Sequence, residues 1–347
     1  MTTKELADII GVSRITLSKY LNGKPGISKK TQEKIAKYVD KYDFAPNSYA
    51  RSLVGKQEKI FGFFSSFTET SEGESNITSH FATTFTADIL SVAQKYGYKV
   101  LVSLTKEKDS VTEIKQIFSS SLICGAVLFG YETGDQQMAE FGKSGYPVVL
   151  INQEEKTEFP TVSVVNMDDE ECGAKAVDYA VRNGHRRILF VSSHLRRLPA
   201  IRRERGILRS YARHNEAHDI DQFIVRNADF KENLAYQSVV ELYKGKRLEE
   251  LPSAIIASND LSAIGCINAL KSLGVRVPED VSVLGFDDIS IARYFTPSLT
   301  TFHADIAMMA EKTVSTLVAM MEGREKSGTF DIPLTFVERD SFTKAQS

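Results

Sequence analysis

Arg14, Ile15 and Lys19 lie in the stretch Ser13 to Leu21 and carry the side chains that read DNA base edges. An arginine fork can donate two hydrogen bonds to a guanine, and an isoleucine can lie against a thymine methyl. Thr16 and Ser18 add hydroxyls suited to backbone phosphates, contacts that fix register without reading sequence. Lys19, one turn beyond Ile15, serves either as a third base reader or as a phosphate contact.

These residues act together only if a helix presents them on one side. Leu6, Ile9 and Ile10 mark an apolar face of a first short helix, and Gly11 can take the left-handed conformation that ends it. Ser13 is a good N-cap for a second helix, in which Leu17 and Leu21 lie one turn apart and face the first. Two helices joined by a short glycine turn make a helix-turn-helix, whose second helix offers its N-terminal residues to the major groove. A third helix is predicted from Ile27-Ser28 to about Tyr42, with Ile35, Tyr38, Val39 and Tyr42 turned inward.

Charge points the same way. Residues 1–59 hold 12 Lys and Arg against 6 Asp and Glu, in a chain whose 347 residues sum to −2. A basic arm on an acidic body is the footprint of nucleic-acid binding. The balance of 42% hydrophobic and 25% charged residues is that of a globular chain, longer than one typical domain. No apolar run approaches a membrane span, and Met1 leads straight into a polar helix rather than a signal peptide, so a cytoplasmic protein is expected. Cys124, Cys172 and Cys266 are far apart without metal spacing and read as reduced core thiols.

Thr3-Lys4-Glu5-Leu6-Ala7, Gly11-Val12-Ser13 with Thr16 and Ser18, Leu21-Asn22-Gly23-Lys24-Pro25-Gly26 and Pro46 to Leu53 resemble the lactose/galactose repressor (LacI/GalR) family. The likeness continues along nearly the whole chain. Pro46 pushes Ala45 out of helical geometry, and Asn47 to Val54 is helical in composition but too short to be stable alone. The resemblance makes this segment the family's hinge helix, which orders on the operator, pairs with its dimer mate and pushes a leucine into the minor groove. The matching residue is Leu53, with Asn47, Ala50 and Arg51 beside it.

From Lys59 onward short β-rich runs alternate with helical patterns. Ile60 to Phe64, Tyr98 to Val102, Gly125 to Phe129 and Pro147 to Ile151 form a first series. Thr161 to Val165, Arg187 to Val191, Phe223 to Val225, Ser253 to Ala257 and Val281 to Phe286 form a second. Continuous apolar strands between helices imply parallel sheets covered on both faces, and two series imply two lobes. A strand at Ser298 to Phe302, a helix to about Gly323 and a last strand near Phe330 to Val337 are expected to recross between them.

The expected fold is therefore a small all-α helix-turn-helix headpiece (1–46), a hinge helix and linker (47–58) and an α/β two-lobed sensor domain with parallel sheets (59–347). The sensor resembles the periplasmic-binding-protein fold. Its lobes are expected at about 59–160 with 291–322, and about 161–290 with 323–342. Ligands of open parallel sheets sit beyond the carboxyl ends of the strands, here in the cleft between lobes. The acidic stretch Glu69 to Ser79 reads as a mobile loop at its mouth.

Within that cleft the resemblance implies effector contacts from Arg203, Asn259, Asp260 and Asp287, with Phe81 as an aromatic at the start of the first helix of the lobe. Carboxylate, amide, guanidinium and ring suit a small polyhydroxylated ligand, a sugar or phosphosugar, and also fit a nucleobase. Asn152 stands where sugar-binding relatives often carry Asp, a departure that bears on ligand preference. The dense cluster Arg196, Arg197, Arg202, Arg203, Arg205 and Arg209 would favour an anion if it faced the cleft. Its spacing reads instead as the solvent face of a helix starting near Ile201.

Other chemistries find little support. His214 and His218 are one turn apart but lack a third ligand, so no metal is expected, and His185 reads as structural at a helix-to-strand corner. No nucleophile motif or phosphate-cradling loop is evident; neither enzymatic activity nor a cofactor is expected. The reading is a homodimeric, effector-controlled transcriptional repressor on a near-palindromic double-stranded DNA operator, with no membrane partner. Leucine heptads are lacking beyond Phe342, which favours a dimer over a coiled-coil tetramer. Alternatives are a global regulator of the same fold controlled by a protein partner, a purine-responsive repressor, and a sugar-binding transport component without gene control.

Overall fold

Ser13 opens the second helix of the headpiece by accepting the Thr16 amide at 3.0 Å. The computed structural model describes residues 3–21, 25–42, 59–67, 80–106, 110–131, 141–154, 159–193, 197–324 and 327–345. Helices α1 (Thr3–Ile10), α2 (Arg14–Leu21) and α3 (Lys29–Lys41) enclose a small core of Leu6, Ala7, Ile10, Leu17 and Ile35. Gly11 turns the chain at φ 71° between α1 and α2. Ile9 and Tyr42 depart from the sequence reading, for both are exposed. The buried stripe of α1 runs through Ala7 instead of Ile9, and Tyr42 lies past the end of α3, stacked on Tyr38 with ring centroids 6.3 Å apart.

The body opens with β1 (Ile60–Phe67), α4 (His80–Lys95), β2 (Lys99–Lys106), α5 (Ser110–Ser119), β3 (Ala126–Phe129), β4 (Val148–Ile151) and β5 (Val162–Met167). It continues through α6 (Asp169–Arg182), β6 (Arg187–Ser192), α7 (Leu198–Glu216), β7 (Gln222–Asn227), α8 (Glu232–Tyr243), β8 (Ala254–Ala257), α9 (Asp260–Ser272) and β9 (Ser282–Leu284). The final elements are β10 (Thr301–Ala304), α10 (Ile306–Met321), β11 (Thr329–Ile332) and β12 (Leu334–Val337). One parallel sheet has the order β11-β5-β4-β3-β1-β2, and a second has β7-β6-β8-β9. Strand order reverses between β1 and β3 in the first and between β6 and β8 in the second. Those are the switch points where open α/β sheets leave a crevice for ligand.

The strand pattern read from sequence is present, but two strands change sheet. β5, expected to begin the second lobe, pairs with β4 in the first sheet, and β11 pairs with β5 there. Hydrogen-bonding neighbours, rather than order along the chain, choose a strand's sheet. The run near Phe330 to Val337 is also two strands, divided at Pro333, whose missing N–H interrupts a ladder. β12 then pairs antiparallel with β10 beside the second sheet. The chain thus crosses between the sheets near Asp168, Asp305 and Pro333, and the Asp168 amide donates to the Ile332 carbonyl at 2.9 Å. Phe61, Phe85, Phe190, Phe286 and Phe302 belong to one continuous core that reaches both sheets.

Candidate DNA-reading helix and effector cleft

Arg14, Ile15 and Lys19 project from α2 into solvent, while Leu17 on the opposite face is fully buried. Ile15, a large apolar side chain, is 70% exposed. Thr16 is half-buried, and its hydroxyl shares a hydrogen bond with the Ser13 hydroxyl at 2.8 Å, so it first serves the helix cap. Ser18 is half-buried on the same helix. The hinge residues Asn47, Ala50, Arg51 and Leu53, the whole segment 47–58 and the acidic stretch 69–79 lie outside the described residues.

The cleft is built around Arg203. Its Nε donates to Asp169 Oδ1 at 2.7 Å, Nη1 to the Ser258 carbonyl at 2.6 Å and Nη2 to Asp287 Oδ1 at 3.0 Å. The guanidinium also lies 4.9 Å from the centre of the Phe286 ring. Burial works against its charge, but the two carboxylates outweigh it and hold Arg203 protonated. Burial likewise pushes the Asp169 carboxyl up to about 6 despite Arg203. This meeting depends on close helix contact. A methyl at Gly206 would stand 1.8 Å from the Glu170 carbonyl oxygen, and one at Gly173 2.3 Å from that of Arg203. Only glycine lets α6 and α7 touch backbone to backbone.

Asp287 and Asp288 both hold left-handed backbone, at φ 107° and 55°. Strain of this kind, of order 1–3 kcal/mol per residue, persists only where surroundings enforce it. Here the Asp287 amide donates to the Phe302 carbonyl at 2.9 Å, while Asp288 accepts Arg339 Nη2 at 2.6 Å and meets His303 Nδ1 at 3.1 Å. Asp260 is buried, accepts the Thr301 hydroxyl at 2.6 Å and the Ile289 amide at 2.9 Å, and is lifted well above the usual carboxylate range by burial and by Asp287. Asn259 caps α9, its side chain accepting the Ser262 amide at 2.9 Å. Its first role is therefore to start a helix.

On the first sheet, Asn152 follows β4 at φ 54°, a conformation that asparagine tolerates better than most residues. Phe81 is half-buried and stacks on Phe85 and Phe129 with centroids 5.9 and 6.0 Å apart. It belongs to an aromatic cluster with Phe63 as much as to the cleft. Of the arginine cluster, Arg202 pairs with Asp331, and Arg205 and Arg209 pair with Glu170 and Glu171 on the outer surface. Arg196 lies outside the described residues.

Residues without a sequence signal join Asn152 at the candidate cleft. Ser66, Asn152, Asn166, Ser193 and Ser258 each carry a buried side-chain polar atom with no partner among the described residues. All five stand at the carboxyl ends of β1, β4, β5, β6 and β8. A buried polar atom left unpaired costs about 1–3 kcal/mol, so such a set marks a place that a polar ligand would satisfy. Asp169 went unrecognised because an acid in a run of acids at a helix start reads as ordinary dipole compensation.

The remaining candidates have structural partners. His185 is buried, with Nδ1 3.0 Å from the Ser253 hydroxyl and Nε2 2.9 Å from the Thr343 carbonyl. His214 sits between Asp178 and Asp219, whereas His218 lies beyond the end of α7 at φ 57°. Cys172 and Cys266 are buried in the core, and burial lifts the Cys172 thiol to about 12. Among the described residues no helix is long and apolar enough to cross a membrane.

Comparison with known proteins agrees with both halves of this geometry. A profile described as "Bacterial regulatory proteins, lacI family" matches residues 2–47, and one described as "Periplasmic binding protein-like domain" matches residues 177–342. The probable HTH-type transcriptional repressor ExuR of Bacillus subtilis (strain 168) is 27% identical over 344 residues, covering 98% of each chain. The lactose operon repressor of Escherichia coli (strain K12) is 26% identical over 345 residues, covering 98% of this chain and 90% of that one. The structure of the lac repressor dimer bound to operator and the anti-inducer ONPF superposes with a TM-score of 0.84 at 23% identity, over 99% of each chain. The chain thus joins a helix-turn-helix domain of the lacI family of bacterial regulatory proteins to a periplasmic-binding-protein-like domain.

Proposed function

We propose that the protein is a homodimeric transcriptional repressor that binds a near-palindromic operator through α2 and is controlled by a small polyhydroxylated effector in the cleft. Arg14 and Ile15 read bases, Lys19 reads a base or holds phosphate, and Thr16 and Ser18 hold phosphate. Asn47, Ala50, Arg51 and Leu53 form the hinge contact in the minor groove. Arg203, Asp287, Asn259, Asn152 and Phe81 contact the effector. The headpiece spans 1–46, the hinge 47–58 and the sensor 59–347. The protein acts in the cytoplasm, without enzymatic activity or cofactor.

The observation that carries this reading is that five strands end in a buried polar atom without a partner among the described residues, together with Arg203 held between Asp169 and Asp287. Hydroxyls of a polyol would serve both donors and acceptors of that set. Selection of bound DNA from a random-sequence pool, followed by release assays with sugars and phosphosugars, tests the proposal. Recovery of a two-fold symmetric motif that one of these ligands releases or tightens supports it. Equal retention of all sequences removes the repressor assignment.

A further inference from the structure

Most of the headpiece's positive charge does not lie on the helix that reads bases. α2 carries Arg14 and Lys19, whereas α3 carries five lysines, Lys29, Lys30, Lys34, Lys37 and Lys41. At 3.6 residues per turn, Lys30, Lys34, Lys37 and Lys41 fall within an arc of about 60° and run about 16 Å along the helix. Glu33 and Asp40 lie outside that arc on one side, and the buried face marked by Ile35 lies on the other.

All four lysines are exposed, and none is ion-paired among the described residues. Glu33 stands one turn before Lys37, in the favourable order for a pair, yet the two do not meet. Lys41 overhangs the Tyr42 ring, 5.4 Å from its centre. The arginines of α7 behave differently, for Arg205 and Arg209 are matched with Glu170 as a solvated charged face normally is.

Two contacts join the stripe to α2. Lys34 Nζ lies 3.8 Å from where a methyl on Gly11 would be, at the turn that feeds the N-terminus of α2. Lys19 Nζ lies 3.9 Å from the same position on Gly26, just before α3. One basic surface therefore continues from the groove-entering end of α2 onto α3.

We infer that Lys30, Lys34, Lys37 and Lys41 form a clamp on the sugar-phosphate backbone of the duplex that α2 reads, gripping it without regard to sequence. This rests on the DNA-binding reading above and adds the surface that supplies affinity for any duplex. A strand carries one phosphate per about 3.4 Å of helix axis, so a row of about 16 Å can face about four of them. Lysine suits the task, since a point charge on a flexible stem follows a backbone without the fixed geometry that reading a base demands.

The test measures the full-length protein on a short mixed-sequence duplex by fluorescence anisotropy across a salt series, beside motif selection from a random-sequence pool. One variant combines Lys30→Gln, Lys34→Gln, Lys37→Gln and Lys41→Gln. A control removes the same charge from exposed body positions through Lys95→Gln, Lys99→Gln, Lys244→Gln and Lys246→Gln. Each lysine–phosphate contact contributes about 0.9 to the slope of log affinity against log salt. The α3 variant is expected to lower that slope by about 2 or more and to weaken duplex binding at least about tenfold, with the selected motif unchanged. Replacing the same four lysines by arginine should restore both, which separates lost charge from misfolding. A smaller fall in slope, an equal fall in the body control, or no recovery with arginine overturns the inference and leaves the repressor reading standing. A changed motif makes the lysines base readers and also overturns it. Failure of the wild type to bind any duplex overturns both.

Discussion

Asp169 and Arg203 meet at 2.7 Å across two helices whose backbones are in contact, and both side chains are almost wholly removed from solvent. Arg203 carries a second carboxylate, Asp287, at 3.0 Å, so one guanidinium ties the start of α6 to the strained turn after β9. Any ligand that engages Asp287 acts on this tie.

Asp169→Asn tests the tie through stability. Removing this carboxylate leaves Arg203 with Asp287 alone and weakens one buried charged hydrogen bond, so a loss of about 1–3 kcal/mol is expected in urea denaturation at neutral pH. The pH dependence has a definite sign. Burial lifts this carboxyl from 3.8 to about 6, so between those values the folded state binds the additional proton. Stability from the neutral carboxyl is complete below about pH 4 and is lost as pH rises through 6, by at most about 3 kcal/mol. The stability difference between the wild type and Asp169→Asn should therefore be larger in acid than at pH 7, by at most about 3 kcal/mol, because only the carboxyl gains from protonation; a pH-independent difference contradicts the assignment.

Gly206→Ala places a methyl 1.8 Å from the Glu170 carbonyl oxygen, a contact that only separation of α6 and α7 relieves. Overpacking of this sort costs about 1–3 kcal/mol. A lower melting temperature together with weaker effector binding is expected, because the same separation pulls Arg203 from Asp169. An unchanged melting temperature shows that the helices do not touch here in solution.

On the DNA side, Arg14→Ala should cost about 1–3 kcal/mol in operator binding and relax preference at one base position of each half-site. Lys19→Ala separates its two roles. A phosphate contact weakens all sequences alike and lowers the salt slope by about 1, whereas a base contact changes the selected motif. Competition binding at two salt concentrations reads both.

Leu53→Ala and Asp287→Ala form a complementary pair. The hinge reading expects the first to weaken operator binding without altering ligand affinity, since its wedge would act only in bent DNA. The second should abolish the ligand response, with circular dichroism and melting confirming that it folds. Full operator affinity in Leu53→Ala removes the hinge assignment, and an intact response in Asp287→Ala removes that residue from the effector site.

Local pattern carried much of this molecule. The capping serine, the buried Leu17 and the exposed Arg14 and Ile15 follow from spacing and side-chain chemistry within a few residues, and so do the short apolar strands. Arg203 and Asp287 were legible because their local motifs match those of a family with a known cleft. Other features depend on residues that meet only when the chain folds. Parallel strands gain their neighbours through long crossovers, so nothing local could assign β5 and β11 to the first sheet. Asp169 gains its role from an arginine side chain 34 residues away. Arg197 looked like one more charge on a solvated face, and only the approach of the two sheets sets its guanidinium beside Gly130 and Ser66. Sequence determined which elements form and which faces are buried, because those depend on short-range periodicity; the tertiary structure alone decided which charges share a low-dielectric space, because that depends on packing distance.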